Sequence, residues 1–181
     1  CYYLILFKSY SLLPAQEAQS LNYTWPVMLT IMSVILLRQK ISFAGFAAIM
    51  ISFSGVLVIS TRGDIFSLRF TNPEGAFLAL SSSLIWALFW ILKVKDRRDE
   101  IIKLFLSFFF GFAYTAATMM IFYKELAYPP AAGLLGALYV GLFEMGITFL
   151  VWLKALSASK TAAQVSNLIY LSPFISLFII S

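Results

Sequence analysis

Residues 15–33 read AQEAQSLNYTWPVMLTIMS, and residues 162–180 read AAQVSNLIYLSPFISLFII. At an offset of 147 the two stretches align without a gap: Ala15 falls on Ala162, Leu21 on Leu168, Tyr23 on Tyr170 and Pro26 on Pro173. Four identities carry little weight by themselves. The weight lies in the shared Y-x-x-P set well inside an apolar run, because a proline there removes a helix hydrogen bond and bends the segment. The stretches leading into the two copies also match in kind. They are FKSYSLLPA at 7–15 and LKALSASKTA at 153–162, with Lys8 and Lys154 one residue out of register.

Outward from this pair the chain is apolar almost throughout. Of its 181 residues 61% are hydrophobic and 12% charged, and the mean hydropathy is +0.91. A soluble domain carries about 25% charge, so polar surface is lacking to coat a water-soluble globule. At roughly 20 residues per crossing, the chain is used up by membrane spans and leaves no room for a soluble domain. Charge and Pro/Gly punctuation bound the spans at 1–12, 16–37, 41–60, 75–93, 101–123, 133–153 and 161–181. Five are complete and two partial, so the chain reads as an internal piece of a longer protein. The second Y-x-x-P copy lies five spans after the first, an odd number of steps, so the two insert in opposite directions. Inverted repeats of this kind are a signature of secondary transporters, with the solute held between the halves near the midplane.

Charge sets the orientation. Loops at Arg38, Lys40, Lys93, Lys95, Arg97, Arg98, Lys103, Lys154 and Lys160 hold nine of the 13 basic residues, and those at Lys8, Arg62, Arg69 and Lys124 hold the other four. The positive-inside rule puts the richer set in the cytoplasm. The net charge of +5 is therefore an orientation signal, and no nucleic-acid partner is expected. There is no histidine and a single cysteine, Cys1. Histidine bases, His-rich metal sites, intramolecular disulfides and thiolate pairs are thereby excluded. No phosphate-binding G-x-x-x-x-G-K-[ST] loop is present, which leaves ATP drive within this chain unsupported. Neither cofactor, metal nor catalytic residue is expected.

Two further stretches make the reading specific. The run AQSLNYTWPVM (18–28), the basic turn RQK (38–40) and FAGFAAIMISFSGVLVI (43–59) resemble the fourth and fifth helices of the drug/metabolite transporter superfamily, EamA branch. GLFEMGITFLVWLKAL (141–156) followed by AAQVSNLIYLSPF (162–174) resembles the eighth and ninth helices of the same EamA-type permeases. The resemblance implies an all-α, polytopic transmembrane bundle of two inverted five-helix repeats, here incomplete and running from about helix 3 to helix 9. Residues 1–60 would close the first repeat, 61–74 form an extracytoplasmic loop, and 75–181 begin the second. The implied function is secondary transport, with export, of small metabolites such as amino acids, from a multi-pass position in a bacterial inner membrane. Substrate, direction, coupling ion and oligomeric state stay open.

Several residues are candidates for the transport path. Glu144 is an acidic residue far from either end of its span, where an ionised carboxylate costs several kcal/mol (about 2.5–3.5 on insertion scales). Two roles stand open for it: a cavity-facing or proton-coupling group, or a protonated structural glutamate bonded to a neighbouring helix. Gln16, Gln19, Ser20 and Tyr23 follow i, i+3, i+4, i+7 spacing and make one polar stripe. Gln164, Asn167 and Tyr170 form its counterpart. Both stripes end at a proline, Pro26 or Pro173, whose freed carbonyls can coordinate solute or water. The plainer reading is hydrogen bonding between helices as packing. Trp86, near the middle of its span, suits a pocket wall, whereas Trp90, near the span end, reads as an interfacial belt residue.

The first reading is thus a carrier of a small molecule in a lipid bilayer, rocking about Pro26 and Pro173 with Glu144 as a proton site. A non-transporting membrane subunit or sensor is the alternative. A membrane-embedded enzyme finds almost no chemical inventory: no histidine, a terminal cysteine and one deep carboxylate.

Overall fold

The structure, a computed structural model, describes residues 2–60, 71–122, 130–172 and 175. Pro173 and most of the expected loop 61–74 fall outside these residues. The described helices are α1 (Tyr2–Leu12), α2 (Ala15–Asn22), α3 (Trp25–Leu37), α4 (Phe43–Ser60), α5 (Pro73–Lys95) and α6 (Glu100–Phe122). They continue as α7 (Ala131–Tyr139), a π-helical segment π1 (Val140–Thr148), α8 (Phe149–Ala158) and α9 (Ala162–Ile169). Four stretches are long and apolar enough to cross a membrane: Ala15–Leu37, Pro73–Lys95, Glu100–Ile121 and Ala131–Ala158.

Local chemistry sets the helix starts. Asn72 Oδ1 accepts the N–H groups of Glu74 (2.9 Å) and Gly75 (3.1 Å), and Pro73 occupies the first helical position of α5, where its missing donor costs nothing. Asp99 Oδ1 caps α6 through the N–H of Ile101 at 2.9 Å. In the turn before it, Arg98 Nη2 lies 2.6 Å from Asp96 Oδ2. The hydrogen bonds from Arg98 hold the Asp96 carboxyl down to about 2.

The packing is inside out relative to a soluble protein. Ser9, Ser33, Ser82, Ser83 and Ser166 are fully buried, while Leu4, Phe7, Ile35, Phe43, Phe77, Phe105, Phe112 and Met120 are exposed. A hydrocarbon surround gives exactly this distribution no penalty, because lipid tails solvate the large apolar groups and helices associate through small and hydroxyl side chains. The described residues form two compact units, Cys1–Lys95 with Ser159–Ser181, and Asp96–Ala158.

In the first unit α5 packs against α1, α2 and α3. Ser9 Oγ donates to Gly75 O at 2.9 Å, and Tyr2 stacks on Trp86 at 4.4 Å, so α1 and α5 run antiparallel. Gly75 permits this approach: a Cβ there would lie 2.7 Å from Leu13 Cγ. Thr24 Oγ1 meets Ser83 Oγ at 2.9 Å and Trp25 meets Trp86 edge-on at 6.5 Å, which makes α3 and α5 parallel. Trp90 is 1% exposed, with its ring edge-on to Trp86 and Phe89. The belt expectation is corrected, since rings from its own helix enclose it and proximity to a span end does not decide exposure. In the second unit π1 joins α7 to α8, and α8 packs on α6, with Phe108 against Phe149 at 6.1 Å.

Candidate functional site

The span 16–37 is broken rather than bent. α2 ends at Asn22, Tyr23 and Thr24 form a turn, and α3 restarts at Trp25. Pro26 lies in the first turn of α3, where its absent N–H and fixed φ suit a helix start. The break therefore falls just before the proline. Its mate behaves alike: Thr24 N–H donates to Leu21 O at 3.2 Å and Leu171 N–H to Leu168 O at 3.1 Å. Met28 N–H donates to Thr24 O and Ile175 N–H to Leu171 O, both at 3.0 Å. Each pair of bonds is related by the offset seen in the sequence.

The two breaks touch. Tyr170 Oη donates to the backbone carbonyl of Tyr23 at 3.2 Å across a separation of 147 residues. Tyr170 is 2% exposed and packs with Ile49 and Ala163, against which Tyr23, Val27, Ile41 and Phe53 also lie. At the other end of α9, Ala162 N–H donates to Gln39 Oε1 at 2.9 Å. The start of α9 thus meets the end of α3, and the end of α9 meets its beginning, so the two copies run in opposite directions. Arg38 makes the turn possible by adopting a left-handed cap (φ 54°) at the end of α3, a conformation usually left to glycine.

The predicted polar stripe divides. Gln16 and Gln19 are exposed, and Gln19 Oε1 accepts from Tyr10 Oη at 2.5 Å. Ser20 is buried and its hydroxyl returns to Gln16 O at 2.8 Å within its own helix. Tyr23 is half-buried, and its carbonyl takes a protein hydroxyl. On the other copy, Gln164 and Asn167 enter the wall of a cavity of about 750 Å³ at the junction of the α3–α4 connection with α9. Lys40, Ser42, Lys160 and Thr161 also line it, with Gly45 and Ala48 supplying the bare face of α4. Sequence reasoning took Lys40 and Lys160 as orientation signals only. Their convergence was implicit in the repeat, because antiparallel α3 and α9 must bring the residue after one helix beside the residue before the other.

Trp86 is the centre of an aromatic cluster rather than an isolated platform. Besides Tyr2, it meets Tyr3 edge-on at 6.3 Å and stacks with Phe89 at 5.6 Å. Glu144 lies in the second unit, within π1, and is exposed. Its carboxylate makes no hydrogen bond or ion pair among the described residues. Thr148 Oγ1 donates to Phe143 O at 2.8 Å, a five-residue reach, and a Cβ on Gly146 would lie 3.1 Å from Gly141 O. A π turn places Glu144 where a continuous α-helix would not, and such turns recur at functional sites. The apolar periodicity of 133–153 gives no sign of it.

With the geometry in hand, similarity to known proteins can be weighed. The EamA-like transporter family matches residues 1–61 and 73–181. A protein of Acidianus ambivalens named as an uncharacterized transporter in the sor 3' region is 29% identical over 178 residues, 94% of this chain and 66% of its own length. The aromatic amino acid exporter YddG of Ancylobacter novellus is 22% identical over 154 residues, 83% of this chain and 53% of its own. A solved structure described only as the crystal structure of a protein superposes on 98% of this chain and 63% of its own, with a TM-score of 0.80 at 20% identity. It shares the fold. The chain spans less than two thirds of the length of each of these three.

Proposed function

The chain belongs to the EamA-like transporter family, and on that premise we propose that it is the larger part of a secondary carrier that exports a small metabolite by alternating access. The observation that carries the reading is the contact between the two broken helices, where the Tyr170 hydroxyl sits on the Tyr23 carbonyl at 3.2 Å. Two oppositely directed segments that break at matching places and meet there supply what a rocking carrier needs: a shared pivot with irregular backbone lodged inside protein. Residues 1–60 close the first repeat and 75–181 begin the second, with 61–74 outside the cell and the Lys40 and Lys160 end in the cytoplasm of a bacterial inner membrane.

Amino acids are the first solutes to test, because the relative from Ancylobacter novellus is named as an aromatic amino acid exporter. Glu144 is the proton-coupling group. A carboxylate in a span of mean hydropathy 1.9 is costly to hold charged, and its free energy drops when it binds a proton or faces a wet path. Energy then comes from an ion gradient or from the solute's own. The test is flux: the full-length protein in proteoliposomes should release preloaded L-phenylalanine or L-tryptophan faster than protein-free vesicles, with a rate that depends on the pH gradient. A subunit or sensor would leave the two kinds of vesicle alike for every amino acid tried.

A further inference from the structure

We infer that the cavity between Lys40 and Lys160 is a binding site for a small carboxylate, the acid group of the solute as it enters from the cytoplasmic side; this deepens the carrier reading and rests on it. The cavity measures about 750 Å³, within the usual range for small-molecule sites. Two lysines line it and no acidic residue does. Neither lysine makes an ion pair among the described residues. Two like charges converging on one partly enclosed space raise its potential and draw in a compact anion. Ser42, Thr161 and Gln164 supply neutral polar groups in the same wall. Farther along α9, Asn167 also lines the cavity, and its buried Oδ1 has no hydrogen-bond partner among the described residues. An acceptor in that state calls for a donor, which an ammonium or hydroxyl group on the same molecule would bring. Cations at one end and an acceptor at the other match a carboxylate that also carries a donor, as an amino acid does.

Its place in the fold adds a reason. The cavity adjoins the Gln39–Ala162 contact, at the end of α9 opposite the Tyr23–Tyr170 contact. A solute held there lies beside the segment that must move if the two copies rock.

The experiment reads occupancy directly. Ala48, in the cavity wall, is replaced in Ala48→Cys in a background without other reactive cysteines, and its rate of labelling by a water-soluble maleimide is followed in phosphatidylcholine vesicles. Phenylacetate, the probe, should slow labelling several-fold, and phenylacetamide should not. Lys40→Gln with Lys160→Gln should abolish the protection, and Lys40→Arg with Lys160→Arg should keep it. Equal protection by the amide, or protection that survives loss of both lysines, would overturn the proposal. So would protection by added phosphatidylglycerol with none by phenylacetate, which would make the cavity a lipid-headgroup site. Labelling is blind to transport, so protection without flux would retire the carrier reading and leave the anion site standing. Flux without protection would do the reverse.

Discussion

At the scale of single residues, the account turns on a hydroxyl, a carboxylate and three polar side chains of one stripe. The Tyr170 hydroxyl pairs with the Tyr23 carbonyl inside the bundle, and hydrogen bonds of this kind between membrane helices contribute about 0.6 to 2 kcal/mol. Tyr170→Phe should lower unfolding stability in detergent by that amount and slow transport with little change in insertion. A phenylalanine variant as stable and as fast as the parent would remove the contact from the mechanism. Glu144→Gln fixes the side chain in an uncharged form. Flux should then lose its dependence on the pH gradient, or stop, while membrane insertion stays intact; unchanged flux with an unchanged pH profile would clear Glu144 of any coupling role. Within the α2 stripe, exposure differs sharply from neighbour to neighbour. Cysteines at Gln16 and Gln19 should react with an impermeant reagent added outside, whereas one at Ser20, which is 2% exposed, should not. Inert positions at 16 and 19 would mean that the stripe is packed.

At the scale of elements, the sequence made most of the helices legible and left their irregularities hidden. Apolar runs ending in charge or proline located the spans because the bilayer imposes one length on every crossing. The Y-x-x-P pair located both breaks to within a turn, although the fracture falls at Tyr23 and Thr24 and Pro26 opens the next helix. Trp90 was misjudged because a position along a span says how deep a side chain lies and nothing about what faces it. Lys40 and Lys160 were read one at a time, and only the antiparallel seating of α9 on α3 brings them to one cavity. Least legible was π1, since one widened turn does not disturb an apolar pattern that is hydrophobic on every side. Gly146 is the residue through which it can be tested. With a Cβ 3.1 Å from the Gly141 carbonyl, Gly146→Ala must shift the π turn at a cost of about 1 kcal/mol. The variant should show reduced thermal stability and an altered pH profile of flux. If both match the parent, the π register has no part in placing Glu144.

At the scale of the whole molecule, composition, fold and relatives agree on a multi-pass membrane protein of a transporter family. The opposed insertion of its repeats is what turns a bundle of helices into a carrier, because two copies facing opposite ways can exchange inward and outward conformations about one shared pivot. Sidedness tests that claim most directly. With Lys8→Cys and Lys154→Cys made singly in the intact protein, an impermeant thiol reagent applied to right-side-out membranes should label position 8, and position 154 only after the membranes are opened. Labelling of both positions from the same side would contradict the opposed arrangement and the carrier built on it.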